Sequence, residues 1–187
     1  KWSTFYSCER LSAWCLKNSA TADAVSYDLF DTVLVRRVHD PDLVKRPVAQ
    51  FLAARLPAAG RPWTPEQILR FRNRMEAVHR RRAGAAGPDQ EACYPAFMAD
   101  LLARLFPSAT DDERSRLLRE ATDYELDMES RLLVPRAALR RLMEALHARG
   151  KRILLISDMY LPAGHLQRLA ASAGLAPLVD GVVSSAD

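Results

Sequence analysis

The alternation of apolar and polar positions changes period along this chain, and each change marks an element. From Ala24 to Val35 the strand formers Val25, Tyr27, Leu29, Val33, Leu34 and Val35 follow one another without Gly or Pro. Asp28, Asp31 and Thr32 interrupt them. A carboxylate seldom lies in a buried strand unless it is paired or serves a site, so the run reads as a buried strand delivering Asp28 to a ligand crevice. Helical spacing then takes over. Asp40-Pro41 starts a helix over about 41–56, with a kink or late start expected at Pro47. The Thr64-Pro65-Glu66-Gln67 capping box opens the next, through about Arg82, apolar at Ile68, Phe71, Met75 and Val78. After a break at Gly84 to Pro88, a helix from Asp89 carries Tyr94, Phe97, Met98, Leu101, Leu102 and Leu105, with Pro95 blurring its start. A second capping box, Thr110 to Glu113, opens a helix bearing Leu117, Leu118, Ala121, Tyr124 and Leu126.

Strand signals return only late. Pro135 begins a helix with Leu139, Leu142, Met143 and Leu146 on one side and Gly150 just past its end. Lys151 to Ile156 is a strand that runs into Ser157 and Asp158. Pro162 to Ala173 is a helix stopped by Gly174, and Val179 to Ser184 is a third strand. Strand–helix–strand alternation of this kind predicts an α/β fold with a Rossmann-like parallel sheet. A parallel crossover needs one helix. About four helices in roughly ninety residues are therefore an insertion, whose alternative is a larger all-α half of one domain. The division read from this is an N-terminal helical segment at 1–21, an α/β core at 22–38 and 131–187, and a helical cap insertion at 39–130.

Bulk properties narrow the classes. The 187 residues, 49% of them hydrophobic, suffice for one domain with an insertion, and no apolar run approaches a bilayer span. No signal peptide is evident at Lys1-Trp2-Ser3-Thr4. Cys8, Cys15 and Cys93 are odd in number and form no CxxC pair, so reduced thiols and a cytoplasmic location are expected. The net charge is +4, carried mostly by arginine. The cluster Arg70, Arg72, Arg74, Arg80, Arg81 and Arg82 reads as a solvated helix face or an anion-attracting patch. Without aromatic interleaving, no nucleic-acid partner is expected. Trp2, Phe5, Tyr6, Leu11, Trp14, Cys15 and Leu16 have loosely helical spacing, for packing on the domain or as a partner site. His39, His79, His147 and His165 lack metal-ligand spacing.

The two strand ends carry the chemistry. Tyr27-Asp28-Leu29-Phe30-Asp31-Thr32-Val33-Leu34 resembles motif I of the haloacid dehalogenase (HAD) superfamily, and Leu154-Leu155-Ile156-Ser157-Asp158-Met159-Tyr160-Leu161-Pro162 resembles its motif II. The wording is similar to HAD-like domains found beside bacterial glycosyltransferases. The resemblance implies a phosphohydrolase acting on a small-molecule phosphate ester, such as a sugar phosphate, with Asp28 as nucleophile and as ligand to Mg²⁺. Ser157 and Thr32 would bind the phosphate, the insertion would close as a cap, and a glycosyltransferase would be a fused or associated partner.

Departures accompany the resemblance. The general acid of the family stands two residues after the nucleophile as Asp, and here that position is Phe30. Asp31 is then either a substitute acid or a brace for the loop. Asp158 either orients Ser157 or substrate, or caps the next helix with Pro162. The chain reaches Asp187 without the lysine of motif III or the acidic residues of motif IV, so a truncated core is expected. A catalytically degenerate binding or accessory domain is the alternative.

Overall fold

Strand β1, Ala24–Asp28, is the first of three parallel strands; β4, Arg152–Ser157, lies at the centre and β5, Gly181–Ser184, on the far side. The computed structural model describes residues 3–56, 63–87 and 90–187. Asp28 pairs with Ile156, and Ser157 with Ser184, so the polar tips of the strands share one end of the sheet. Val25, Tyr27, Ile153 and Leu155 face the packed side in register, with Ile153 and Leu155 fully buried. On the opposite face Ile156 and Val183 are paired neighbours and are 45% and 55% exposed. The fold is the α/β class read from the sequence, a Rossmann-like parallel sheet with a helical cap insertion.

The apolar run from Ala24 to Val35 divides into two strands. After Asp28 the chain turns, and Leu34–Arg36 forms β2, antiparallel to β3 at Leu133–Pro135. This two-stranded ribbon carries the inserted helices: α2 Asp42–Ala53, α3 Pro65–Ala86, α4 Tyr94–Leu105 and α5 Asp111–Leu132. Both capping boxes form. Thr64 accepts from the Gln67 amide while the Gln67 side chain accepts from the Thr64 amide, and Thr110 and Glu113 do the same. Helix α2 runs through Pro47, which leaves the Leu43 carbonyl without its usual amide partner. Helix α3 continues past Gly84 to Ala86, and α4 starts at Tyr94 with Cys93 as its cap. The expected start at Asp89, the break's end at Pro88, and Trp2 lie outside the described residues.

The inserted helices pack α2 on α3 and α5, and α4 on α3 and α5, around buried Val48, Leu52, Phe97, Met98, Leu101 and Leu102. Helix α3 buries Ile68, Leu69, Arg72 and Glu76; of the expected stripe Ile68 is fully buried, while Phe71, Met75 and Val78 are half-buried at its edge. The two charged residues belong to a buried ionic cluster. Arg72 donates to Glu76 and to Glu125 of α5, and Lys45 of α2 donates to Glu76. The arginine cluster of α3 is therefore not one surface: Arg72 is 1% exposed, and Arg80 pairs with Glu76 and Glu91.

Past β3, α6 (Ala137–His147) leads to β4, with Gly150 at φ +74° in the reversal between them. Pro135 belongs to β3, so this helix starts after Arg136 rather than at the proline. α7 (Ala163–Ser172) connects β4 to β5. Helix α1, Cys8–Asn18, packs on α6; Arg149 holds its Leu16 carbonyl, and Lys151 holds the Ala20 carbonyl in the short turn after it. Tyr6 stays 93% exposed and Trp14 45%. The three thiols are free and half-buried. Among the described residues, no helix is long and apolar enough to cross a membrane.

Candidate active site

Asp28 stands at the C-terminal tip of β1, where the ladder ends and the chain must turn. The Leu29 amide still donates to the Ile156 carbonyl at 2.9 Å. Val33 and Leu34 then both donate to the Leu29 carbonyl, at 3.0 and 2.8 Å, closing a tight turn. That closure brings Thr32 back over the strand end, and its hydroxyl donates to Asp28 Oδ2 at 2.6 Å. Among the described residues Asp28 Oδ1 is uncommitted. The turn costs backbone strain: Asp31 sits at φ +57°, the left-handed region that Asp tolerates better than most side chains.

Ser157 ends the neighbouring strand one position beyond Ile156, the register partner of Asp28. It is 2% exposed, and its hydroxyl accepts from the Met159 amide at 3.2 Å, which leaves its own proton to donate. Its carbonyl accepts from the Ser185 amide at 3.0 Å, tying the turn to the end of β5. Asp28, Thr32 and Ser157 therefore share the tips of two adjacent parallel strands.

Asp31 and Asp158 take less committed places. Both are exposed. The loop is braced not through the Asp31 carboxylate but through its main-chain carbonyl, which accepts from Arg136 Nη2 at 3.0 Å. Helix α7 is capped not by Asp158 but by Asp187, whose carboxylate accepts from the Ala163 amide at 3.2 Å. Asp187 comes from the far side of β5, a pairing that local spacing does not encode.

Phe30 lies under the Arg36 guanidinium, 4.7 Å from ring centre to Cζ. Arg36 is itself bound bidentately by Glu129 of α5, at 2.8 and 3.1 Å, and touches Met159 Sδ at 3.8 Å. Burial alone would lower its pKa, but the Glu129 bond and charge hold the guanidinium above its ordinary range. The position of the expected acid is thus filled by an aromatic ring covered by a neutralised cation. Arg36, Glu129 and Arg136 were missed because their partners are about a hundred residues away in sequence and leave no local signal.

Behind the Ser157 turn, Tyr160 enters the inserted helices. Its hydroxyl donates to Glu125, as does that of Tyr94, each at 3.1 Å, and its carbonyl accepts from the Tyr94 amide at 2.8 Å. Burial raises both tyrosine pKa values well above the ordinary range, and the Glu125 charge adds to it. Burial also pushes the Glu125 carboxyl up, against the pull of Arg72 and the two hydroxyls.

Mg²⁺ takes oxygen ligands and is commonly held by one or two carboxylates together with water and substrate phosphate. Asp28 fits as one such ligand, because Oδ2 keeps a lone pair beside the Thr32 hydroxyl and Oδ1 stays uncommitted among the described residues. No cluster of three or more His, Cys, Asp or Glu gathers among the described residues.

Compared with known proteins, the chain matches no protein-family model and none of the curated proteins. Among solved structures it is similar to a predicted phosphoglycolate phosphatase from Haemophilus somnus 129PT, at 13% identity, covering 87% of this chain and 62% of that one with a TM-score of 0.44. It is also similar to a dehalogenase with an intermediate complex, at 15% identity, 87% and 62% coverage and a TM-score of 0.41. The chain thus spans less than two thirds of the length of either. Neither likeness reaches a TM-score of 0.5, so the chemistry of the site rests on its own residues.

Proposed function

We propose that this chain is a HAD-type hydrolase domain that transfers the phosphoryl group of a small-molecule phosphate ester to Asp28. The observation that carries the reading is the pairing of strand tips. Asp28 ends β1, Ser157 ends the adjacent parallel β4, and Thr32 fixes Asp28 through Oδ2, so that one carboxylate oxygen is left to attack phosphorus. In-line attack breaks the bond between phosphorus and the ester oxygen and leaves an aspartyl-phosphate that water then cleaves. The Ser157 hydroxyl is free to donate to a phosphoryl oxygen. Mg²⁺ bound to Asp28 would neutralise charge on the transferring group.

Phe30 cannot protonate a departing alkoxide, and Arg36 above it is bound by Glu129. Esters with stable leaving groups suit such a site best, unless Asp31 or Asp158 supplies the proton. A sugar phosphate, and a glycosyltransferase as fused or associated partner, are the substrate and context suggested by the motif wording. The Phe30–Arg36 arrangement favours a second reading, a phosphate-ester-binding accessory domain without turnover.

Phosphate release from an activated aryl phosphate in the presence of Mg²⁺ tests the choice. Asp28→Asn should abolish release and leave the melting temperature nearly unchanged, since Asp28 is exposed. Full activity in that variant rejects Asp28 as nucleophile. Saturable phosphate-ester binding with no release by the parent chain selects the accessory reading.

A further inference from the structure

Three consecutive carbonyls of the turn after β1 are held by one distant residue. Arg136 Nε donates to the Thr32 carbonyl and Nη2 to the Asp31 carbonyl, each at 3.0 Å. Its main-chain amide donates to the Val33 carbonyl at 2.8 Å. Nε and Nη2 lie along one edge of the planar guanidinium, so a single edge meets two successive peptide oxygens. No carboxylate pairs with Arg136 among the described residues; its side-chain hydrogen bonds go to main chain. The conformation it holds carries strain, because Asp31 occupies the left-handed region.

Its place in the chain matters as much. Arg136 follows β3 directly and extends the β2–β3 pairing by one rung, where the chain returns from the inserted helices to the sheet. We propose that Arg136 is a positioning residue, which holds the turn in the conformation that keeps Thr32 on Asp28 and ties that geometry to the seating of the cap. The proposal rests on the reading of Asp28 as nucleophile. Loss of the fork frees the Asp31 and Thr32 peptides to relax, Asp31 leaves its strained conformation, and the Thr32 hydroxyl leaves Oδ2.

Arg136→Lys and Arg136→Ala test this, read by aryl phosphate hydrolysis and by amide exchange at Val33 and Leu34. Misplacement of the attacking group should lower kcat about tenfold or more in both variants with little change in KM. Lysine fails because a point charge cannot span two carbonyls. Added guanidinium ion should partly restore kcat in Arg136→Ala, which a general loss of stability would not allow, and exchange at Val33 and Leu34 should quicken while Leu155 in β4 stays protected. Unchanged kcat with unchanged exchange overturns the proposal. If the parent chain releases no phosphate, the hydrolase reading fails and exchange decides alone. Faster exchange at Val33 and Leu34 in Arg136→Ala then upholds the hold on the turn, and unchanged exchange removes it.

Discussion

A hydroxyl on one oxygen of a carboxylate does two things: it fixes the rotamer and leaves the other oxygen uncommitted, which on the proposed reading is the attacking atom. The 2.6 Å bond from Thr32 to Asp28 has that form. Thr32→Val keeps the branched shape and removes the donor, so Asp28 regains torsional freedom. We expect kcat for an aryl phosphate to fall about tenfold to about a hundredfold, while stability changes by no more than about 3 kcal/mol, the upper net worth of a hydrogen bond to a charged group. Steady-state kinetics with a parallel thermal melt separates the two effects. Phe30, two residues along, packs under Arg36 and offers no proton, which on the proposed reading limits the chemistry without disturbing the fold.

Helices α2 to α5 are joined by apolar packing and by charge. Arg72, 1% exposed, serves both Glu76 and Glu125, and Glu125 also accepts from Tyr94 and Tyr160. Burying such a set brings little net stability, but breaking it is costly, because Glu125 is left buried without its counter-charge, while Glu76 keeps Lys45 and Arg80. Arg72→Met should therefore lose about 3–5 kcal/mol, which in a chain of this size lowers the melting temperature by roughly 6–20 °C. A melt within a degree or two of the parent would show that the cluster is not closed as described. Because Tyr160 belongs to the same turn as Ser157, the variant should also loosen the site.

Across the whole molecule, pH enters through a histidine packed on the inserted helices. Burial holds the His165 pKa below its ordinary 6.5, and Arg168 lowers it further, against smaller opposite effects of Asp123 and Asp187. Its ring stands edge-on to Tyr94, 6.1 Å between centres, and Nδ1 is buried without a partner. The sign follows from linkage. The unfolded chain takes up a proton near 6.5 that the folded chain refuses, so this contribution is level above that pH and is lost as pH falls below it. Melts at about pH 7.5 and about pH 5.5 should show a smaller drop in His165→Gln than in the parent. An equal drop in both assigns the acid sensitivity to other groups. At the same scale, the face bearing Asp28, Ile156 and Val183 is open, although parallel sheets are usually covered on both sides.

What could be read from the sequence is what is encoded within a turn or a strand. The two capping boxes need only four residues each, the runs at 24–28 and 152–157 announce themselves by apolar residues without Gly or Pro, and Gly150 and Gly174 mark reversals that their positive φ confirms. Order and type of these elements imply a parallel sheet, and with it the gathering of Asp28 and Ser157 at one end. Tertiary structure alone decided the rest. β2 and β3 pair across about a hundred residues, so the single run to Val35 had to break for a partner invisible in its own spacing. The apolar period of α3 pointed to Ile68, Phe71, Met75 and Val78; Ile68 is buried, yet the rest of the buried face follows Arg72 and Glu76, because Glu125 and Lys45 on other helices neutralise them. Arg136 meets Asp31 and Thr32 across about a hundred residues that hold all the inserted helices. Periodicity records which side chains avoid water, whereas a charge can be buried wherever folding supplies its counter-charge, and that depends on every element at once.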